Sequence, residues 1–239
     1  MTTAEPTAMD PTDLATRRRA EILYGAIRVI SRDGVAAAKL KDIARESGVS
    51  LGLIQHYFDN RENLVDEAFG AMMRVVSREG GHRREESDDP LRLIFRMVLL
   101  HVHGTVDFPE RWGFWSELWA TSGRSRHLRG VATRVYASWA EPIEGALRRL
   151  EHEKRLPDGS DPRRLTTGIL ALMDGLAVRT LAEPEVFTSQ LMLEVLTEWV
   201  AVQLGVDPLE AHQILSDLAD DSAPAAPVAL SPEVIATAL

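Results

Sequence analysis

The apolar residues of this chain recur with helical spacing almost throughout. Ile22, Leu23, Ala26, Ile27 and Ile30 form one stripe along a helix, as do Ile169, Leu172, Met173 and Leu176, and again Phe187, Leu191, Val195 and Trp199. Strand-like alternation is scarce. Helix starts are marked by Asp-Pro pairs at 10–11, 89–90, 161–162 and 207–208. Asp caps the orphan amides of a first turn, and Pro suits the first helical position. Capping-box carboxylates follow in the runs Asp59–Glu62 and Asp207–Glu210. These signals predict helices over 14–33, 40–47, 51–57, 61–79, 90–106, 110–121, 125–155, 162–182, 185–204 and 208–219, and hence an all-α fold. Pro142 removes an amide donor and crowds the carbonyl of Ser138, which predicts a kink or break in the seventh helix. Residues 220–239 hold several Ala and Pro without a wide apolar stripe, and predict a mostly disordered tail.

The front of the chain carries the clearest local pattern. Residues 40–47 offer Leu40, Ile43 and Ala44 to one side; Gly48 permits the left-handed turn; Val49 plugs the space between helices; Ser50 can cap the next helix, 51–57. Two short helices joined through such a glycine make a helix-turn-helix, or else a plain structural hairpin. In a helix-turn-helix the second helix enters the major groove with its N-terminal residues leading. Those are Ser50, Leu51 and Gly52, with Gln55 and His56 beyond them. Arg17, Arg18 and Arg19 add a basic arm able to reach phosphates or the minor groove, unless they are simply a solvated charge run.

Charge sharpens this picture. The 239 residues sum to a formal −9, yet residues 14–58 hold eight basic and four acidic side chains, a local +4 on an acidic body. Cysteine is absent, which excludes disulfides, zinc–thiolate sites, iron–sulfur clusters and thiol nucleophiles. The N-terminal residues 1–13 are polar and acidic with no apolar core segment, unlike a signal peptide, and no uncharged run approaches the roughly 18 apolar residues of a membrane span. The expectation is a cytoplasmic protein that does not engage a membrane.

Residues 17–69 resemble the DNA-binding region of the tetracycline-repressor (TetR) family. The match rests on the first helix ending Arg32-Asp33-Gly34, on Ile43-Ala44, Ser47-Gly48-Val49-Ser50 and Gly52, on His56-Tyr57-Phe58, and on Arg61 and Leu64. The resemblance implies a homodimer with helical ligand-binding bodies, in which effector binding changes the separation of two reading heads. It organises the chain as a flexible arm (1–13), a helix-turn-helix domain (14–60), an effector-binding and dimerisation domain (61–219) and the tail (220–239). It implies that Lys39, Lys41, Tyr57, Arg61 and the 17–19 arm meet phosphates of an operator duplex, while Ser50, Leu51, Gly52, Gln55 and His56 lie nearest the bases. The family usually has Thr where Lys39 stands and often Tyr where Gln55 stands. Gln can pair with adenine in bidentate fashion, so the operator sequence is expected to differ.

In the body, Trp112, Trp115 and Trp119 recur at i, i+3 and i+7, and Tyr136 and Trp139 at i, i+3. The carboxylates Asp107, Glu110 and Glu117 accompany them, and Asp174, on the helix 162–182, can either receive a cation or accept hydrogen bonds from a neighbouring helix. Indole faces with acids suit a cationic ligand; the same stripe also serves as plain core. The stretches Trp112–Trp119 and Leu170–Arg179 resemble the ligand-binding half of the choline-responsive betaine-pathway repressors, which implies small cationic or polar effectors such as quaternary amines and polyamines. The wide apolar faces of 162–182 and 185–204 predict a four-helix homodimer interface, with intramolecular core as the competing use.

Enzyme chemistry finds little footing. His101 and His103 are about 200° apart on a helix and cannot share an ion. There is no phosphate-cradling glycine loop and no Gly-x-Ser-x-Gly elbow. No metal or cofactor is called for. The reading is a ligand-responsive DNA-binding regulator, most simply a repressor; the alternative is a helical interaction or structural dimer without sequence-specific DNA binding.

Overall fold

A computed structural model describes residues 11–84, 89–108, 111–221 and 227–239. In chain order the elements are α1 (Pro11–Ala37), α2 (Leu40–Ser47), α3 (Leu51–Tyr57), α4 (Arg61–Arg84), α5 (Pro90–His103), β1 (Val106–Asp107), α6 (Arg111–Ser122), α7 (Arg126–His152), α8 (Pro162–Ala182), α9 (Ser189–Leu204), α10 (Pro208–Asp221), β2 (Val228–Ala229) and α11 (Pro232–Ala236). The architecture is all-α, with one two-residue parallel pairing of β1 and β2.

The predicted caps recur in the structure. Asp89 accepts from Arg92 N at 3.2 Å, Asp161 from Arg163 N at 3.0 Å, and Asp207 from Leu209 N at 2.8 Å. Asn60, rather than Asp59, caps α4, accepting from Asn63 N at 2.8 Å. The Asp10 cap and the arm 1–10 lie outside the described residues.

Two cores form. The first joins α1–α4 to β1, Phe114 and Leu118 of α6, the start of α7, and Leu230 and Ile235 near the C-terminus. The second joins α5, the later half of α7, α8, α9 and α10. The expected division at residue 60 is therefore not a division between cores: α4 packs into the same apolar interior as α1.

Three further expectations are corrected. α7 is not broken at Pro142 but continues through it; Val131 and Val135 before it, and Ile143 and Leu147 after it, are buried and hold both halves in place. Phe187 precedes α9 instead of joining its stripe, buried in the turn after α8 with the Arg179 guanidinium 4.6 Å from its ring centroid. The segment from 227 onward is not a disordered tail. Ser231 caps α11 and Pro232 occupies its first turn, while Leu230 and Ile235 are buried against the first core.

α8 is long and apolar enough to cross a membrane by length and composition alone, although Arg163, Arg164, Asp174 and Arg179 interrupt it.

Candidate DNA-reading surface and effector cavity

The head is built from local rules. Gly48 takes φ 67°, ψ 25° and closes α2, so that Val49 N donates to Ala44 O at 3.1 Å. Ser50 then caps α3, accepting from Leu53 N at 3.1 Å. Ile43, Ala44, Ile54 and Phe58 are buried against Ile22, Leu23, Ala26 and Ile27 of α1. α1 and α2 approach so closely at Gly25 that an added Cβ would lie 2.0 Å from Ser47 Oγ. Only glycine fits there without moving α2.

That burial fixes what α3 presents outward. Ser50, Leu51, Gly52, Gln55 and His56 are all exposed, and 51, 52, 55 and 56 share one helical face. Leu51 is 42% exposed, a large apolar side chain left at the head's surface. Lys39 and Lys41 are exposed and, among the described residues, lie in no ion pair. Tyr57 is half-buried and packs against the head's core.

The arginines behave differently from the expectation. Arg17, Arg18 and Arg19 lie within α1, not in an arm ahead of it. Arg17 and Arg18 are exposed and pair with Glu21. Arg19 is committed to the fold: it bonds Glu67 and Tyr57 O and sits 4.8 Å from the Phe58 ring centroid. Arg61 donates from Nε to Ala38 O at 2.6 Å and also bonds Val35 O. It ties the last turn of α1, past the kink at Gly34, and the following Ala38 to α4, which leaves little of its guanidinium for a phosphate.

The second feature lies where the two cores meet. A cavity with about 780 Å³ of empty space, part of it open to solvent, is lined from α4, α5, β1, α6, α7 and α8. Trp112, Trp115, Trp119, Tyr136, Trp139 and Asp174 all line it, so six of the seven residues chosen from sequence come together. Tyr136 Oη donates to Asp174 Oδ2 at 2.6 Å. Burial pushes the Asp174 carboxyl up, partly offset by that hydrogen bond; burial and the adjacent carboxylate push the Tyr136 phenol up. Tyr136 and Asp174 also line an open groove with Glu144 and Arg163, which puts the pair at the cavity's mouth.

Glu117 is the exception. Its carboxylate faces away from the cavity and accepts from Val35 N at 2.7 Å, directly beside Gly34 at φ 80°. The signal was in the spacing: residue 117 is two positions from both Trp115 and Trp119, about 200° around the helix. α6 therefore has two working faces. Its tryptophans meet the cavity, and Gly113 and Glu117 meet α1; a Cβ on Gly113 would lie 2.8 Å from Ser31 O.

Sequence reasoning missed three polar lining residues. His101 stands beside Trp112 and Trp139, with ring centroids 5.1 and 5.8 Å away. Burial pushes its pKa down to about 4. The ring is neutral near pH 7, and Nε2 donates to Met173 O at 3.2 Å. Arg111, one turn before Trp115, donates to Val102 O at 2.6 Å and stacks 4.5 Å from the Trp112 ring centroid. Thr105 is buried, and its hydroxyl finds no hydrogen-bond partner among the described residues. The i, i+4 relation of Arg111 to Trp115 was readable; the folding of residues 104–108 across the cavity was not.

Known proteins match both halves. Residues 22–68 match the family described as bacterial regulatory proteins, tetR family, and residues 90–205 match the BetI-type transcriptional repressor, C-terminal. The HTH-type transcriptional regulator BetI of Ectopseudomonas mendocina is 27% identical over 197 residues, covering 79% of this chain and 94% of that protein. Its counterpart from Agrobacterium fabrum is 26% identical over 162 residues, covering 68% and 76%. Among solved structures, a transcriptional regulator from Saccharomonospora viridis in complex with choline shares the fold, with a TM-score of 0.68 at 24% identity over 76% of this chain and 94% of that one. These names describe DNA-binding regulators and not enzymes. Together the matched segments span more than half of the sequence, and on that evidence the chain belongs to the TetR family of transcriptional regulators, as a repressor with a BetI-type C-terminal domain.

Proposed function

We propose that this repressor acts in the cytoplasm as a homodimer, reads operator DNA with α3, and releases it when a small cationic effector enters the aromatic cavity. The observation that carries the mechanism is the double-faced α6. One face contributes Trp112, Trp115 and Trp119 to the cavity, and the other meets α1 twice, at Ser31 through Gly113 and, just past the kink at Gly34, at Val35 N through Glu117. An effector that shifts α6 shifts the helix on which the reading head is built. Operator affinity falls only as far as the effector prefers the shifted state.

In this reading Ser50, Leu51, Gly52, Gln55 and His56 face base edges, and Lys39, Lys41 and the exposed Arg17 and Arg18 meet phosphates. Trp112, Trp115, Trp119, Tyr136 and Trp139 supply ring faces for a cation, and Asp174 supplies the carboxylate. The choline bound to the Saccharomonospora viridis regulator supports a quaternary amine. Arg111 narrows the choice, because a cation must settle toward Asp174 and away from the guanidinium. Homodimerisation through α8 and α9 is supported by their exposed apolar side chains, Val178 (51%), Leu181 (45%) and Val202 (64%). A partner subunit would cover them.

A thermal-shift series tests the effector class, since ligand that binds only the folded state raises the melting temperature. Choline and spermidine are expected to stabilise the protein, and acetate and glucose are not. Stabilisation by the neutral or anionic compounds alone would overturn the cationic reading and leave the DNA-binding reading intact.

A further inference from the structure

The C-terminal segment touches both the cavity wall and the reading head. Val228 N donates to Thr105 O at 3.0 Å, and Leu230 N to Asp107 O at 3.1 Å, in the parallel pairing of β2 with β1. Thr105, Val106 and Phe108 of that same stretch line the cavity. The unpartnered Thr105 hydroxyl is a buried polar atom that a bound ligand can satisfy.

The other end of the segment docks on the head. α11 packs against α1 and α4, with Leu230 and Ile235 in the same core as Ile22 and Leu23. Arg74 Nε donates to Ala238 O at 2.8 Å, and Arg78 bonds Thr237 O, so two cations of α4 close the end of α11. Hydrogen bonds from its own backbone N–H and from Ser231 hold the Glu233 carboxyl below its usual range, with help from the positive charge of Arg17. A two-residue strand pairing is marginal by itself, and the apolar docking of α11 is what holds it in register.

We propose that residues 227–239 are a brace that couples the cavity wall to the first helix of the head, so that effector contact at Thr105 and β1 reaches α1 through β2 and α11. This route is separate from the Glu117 contact, and it lies beyond residue 205, where the BetI-type match ends. Val228, Leu230 and Ile235 are positioning residues: they act through Thr105 and through α1. The regulatory meaning of the brace rests on the effector reading above, but its mechanical claim can be tested with neither DNA nor effector.

The test is hydrogen exchange on the full chain, perturbed at either end of the brace. Val228→Pro deletes the amide that bonds Thr105, whereas Val228→Ala keeps it. Val228→Pro is expected to speed exchange about fivefold both at 105–107 and, at the far end, over residues 20–30 of α1, on the scale of one lost hydrogen bond. Val228→Ala is expected to leave both near wild-type rates. Arg78→Ala, at the head end, is expected to speed exchange at 105–107. α9 belongs to the second core and not to the one on which the brace docks, and it serves as the internal control. Exchange that rises only beside each substitution would overturn the proposal. So would a uniform rise that includes α9, since that is general destabilisation and not coupling.

Discussion

His101 is a neutral imidazole built into the cavity wall, and the cost of keeping it neutral sets a pH dependence that can be calculated. Lowering its pKa from the ordinary 6.5 to about 4 penalises the folded-state cation by roughly 3 kcal/mol, at 1.36 kcal/mol per pH unit. The unfolded chain takes up a proton as pH falls through 6.5, while the folded chain stays neutral until about 4. The unfolded state binds more protons across that window, so stability drops as pH drops. By about pH 4.5 this residue alone withdraws roughly 2.5 kcal/mol relative to pH 8. His101→Gln keeps an N–H donor for Met173 O but cannot titrate. Urea denaturation of both proteins at about pH 8 and pH 4.5 reads the difference. Asp174, raised by burial, titrates in both and cancels. The wild type is expected to lose roughly 2 to 3 kcal/mol more than His101→Gln over this range. Equal losses would refute the reasoning, because they would mean that His101 is solvated or already charged in the folded state.

Three other substitutions probe the head and its link to the body. Gln55→Ala removes an exposed side chain from the reading face of α3 and is expected to cost about 1–3 kcal/mol at one operator position, read by binding a panel of single-site operator variants. Lys41→Ala removes an exposed cation that lies in no ion pair among the described residues; it is expected to weaken binding to all sequences alike and to reduce the salt slope by about 1, read by fluorescence anisotropy across a salt series. Glu117→Ala breaks a charge-assisted hydrogen bond of a class worth about 1.5–3 kcal/mol. It is expected to blunt effector-driven operator release while leaving effector binding, measured by calorimetry, nearly unchanged.

The parts of this structure that were legible in the sequence are those held by neighbours in sequence. The turn Gly48-Val49-Ser50 is specified within a few residues, by one left-handed glycine and one capping hydroxyl. The tryptophans at 112, 115 and 119 declare a shared face by spacing alone. Glu117 has the charge a cation site wants but the wrong angle: the geometry that separates His101 from His103 also separates Glu117 from the cavity. Arg19 and Arg61 looked like phosphate ligands because sequence does not reveal which carbonyls and rings a long side chain meets. The brace was the least legible. Val228 pairs with Val106, more than a hundred residues away, and the apolar anchors of the segment, Leu230 and Ile235 with Val234, Ala236 and Ala238 beside them, are too few and too small to form a wide stripe. Its helix nonetheless announced itself through Ser231-Pro232, a cap followed by a first-turn proline, the same kind of signal that marked α5, α8 and α10.

The central claim is that α3 reads a specific duplex and that a ligand in the aromatic cavity opposes that reading. Selection of bound fragments from a random duplex library, performed with the full chain, tests it most directly. The account predicts enrichment of a pseudo-palindrome whose half-sites are separated by about one helical turn, or a multiple of it, and loss of the retained fragments when choline is added. A retained pool with no common sequence, or binding that disappears in moderate salt without any sequence preference, would contradict it.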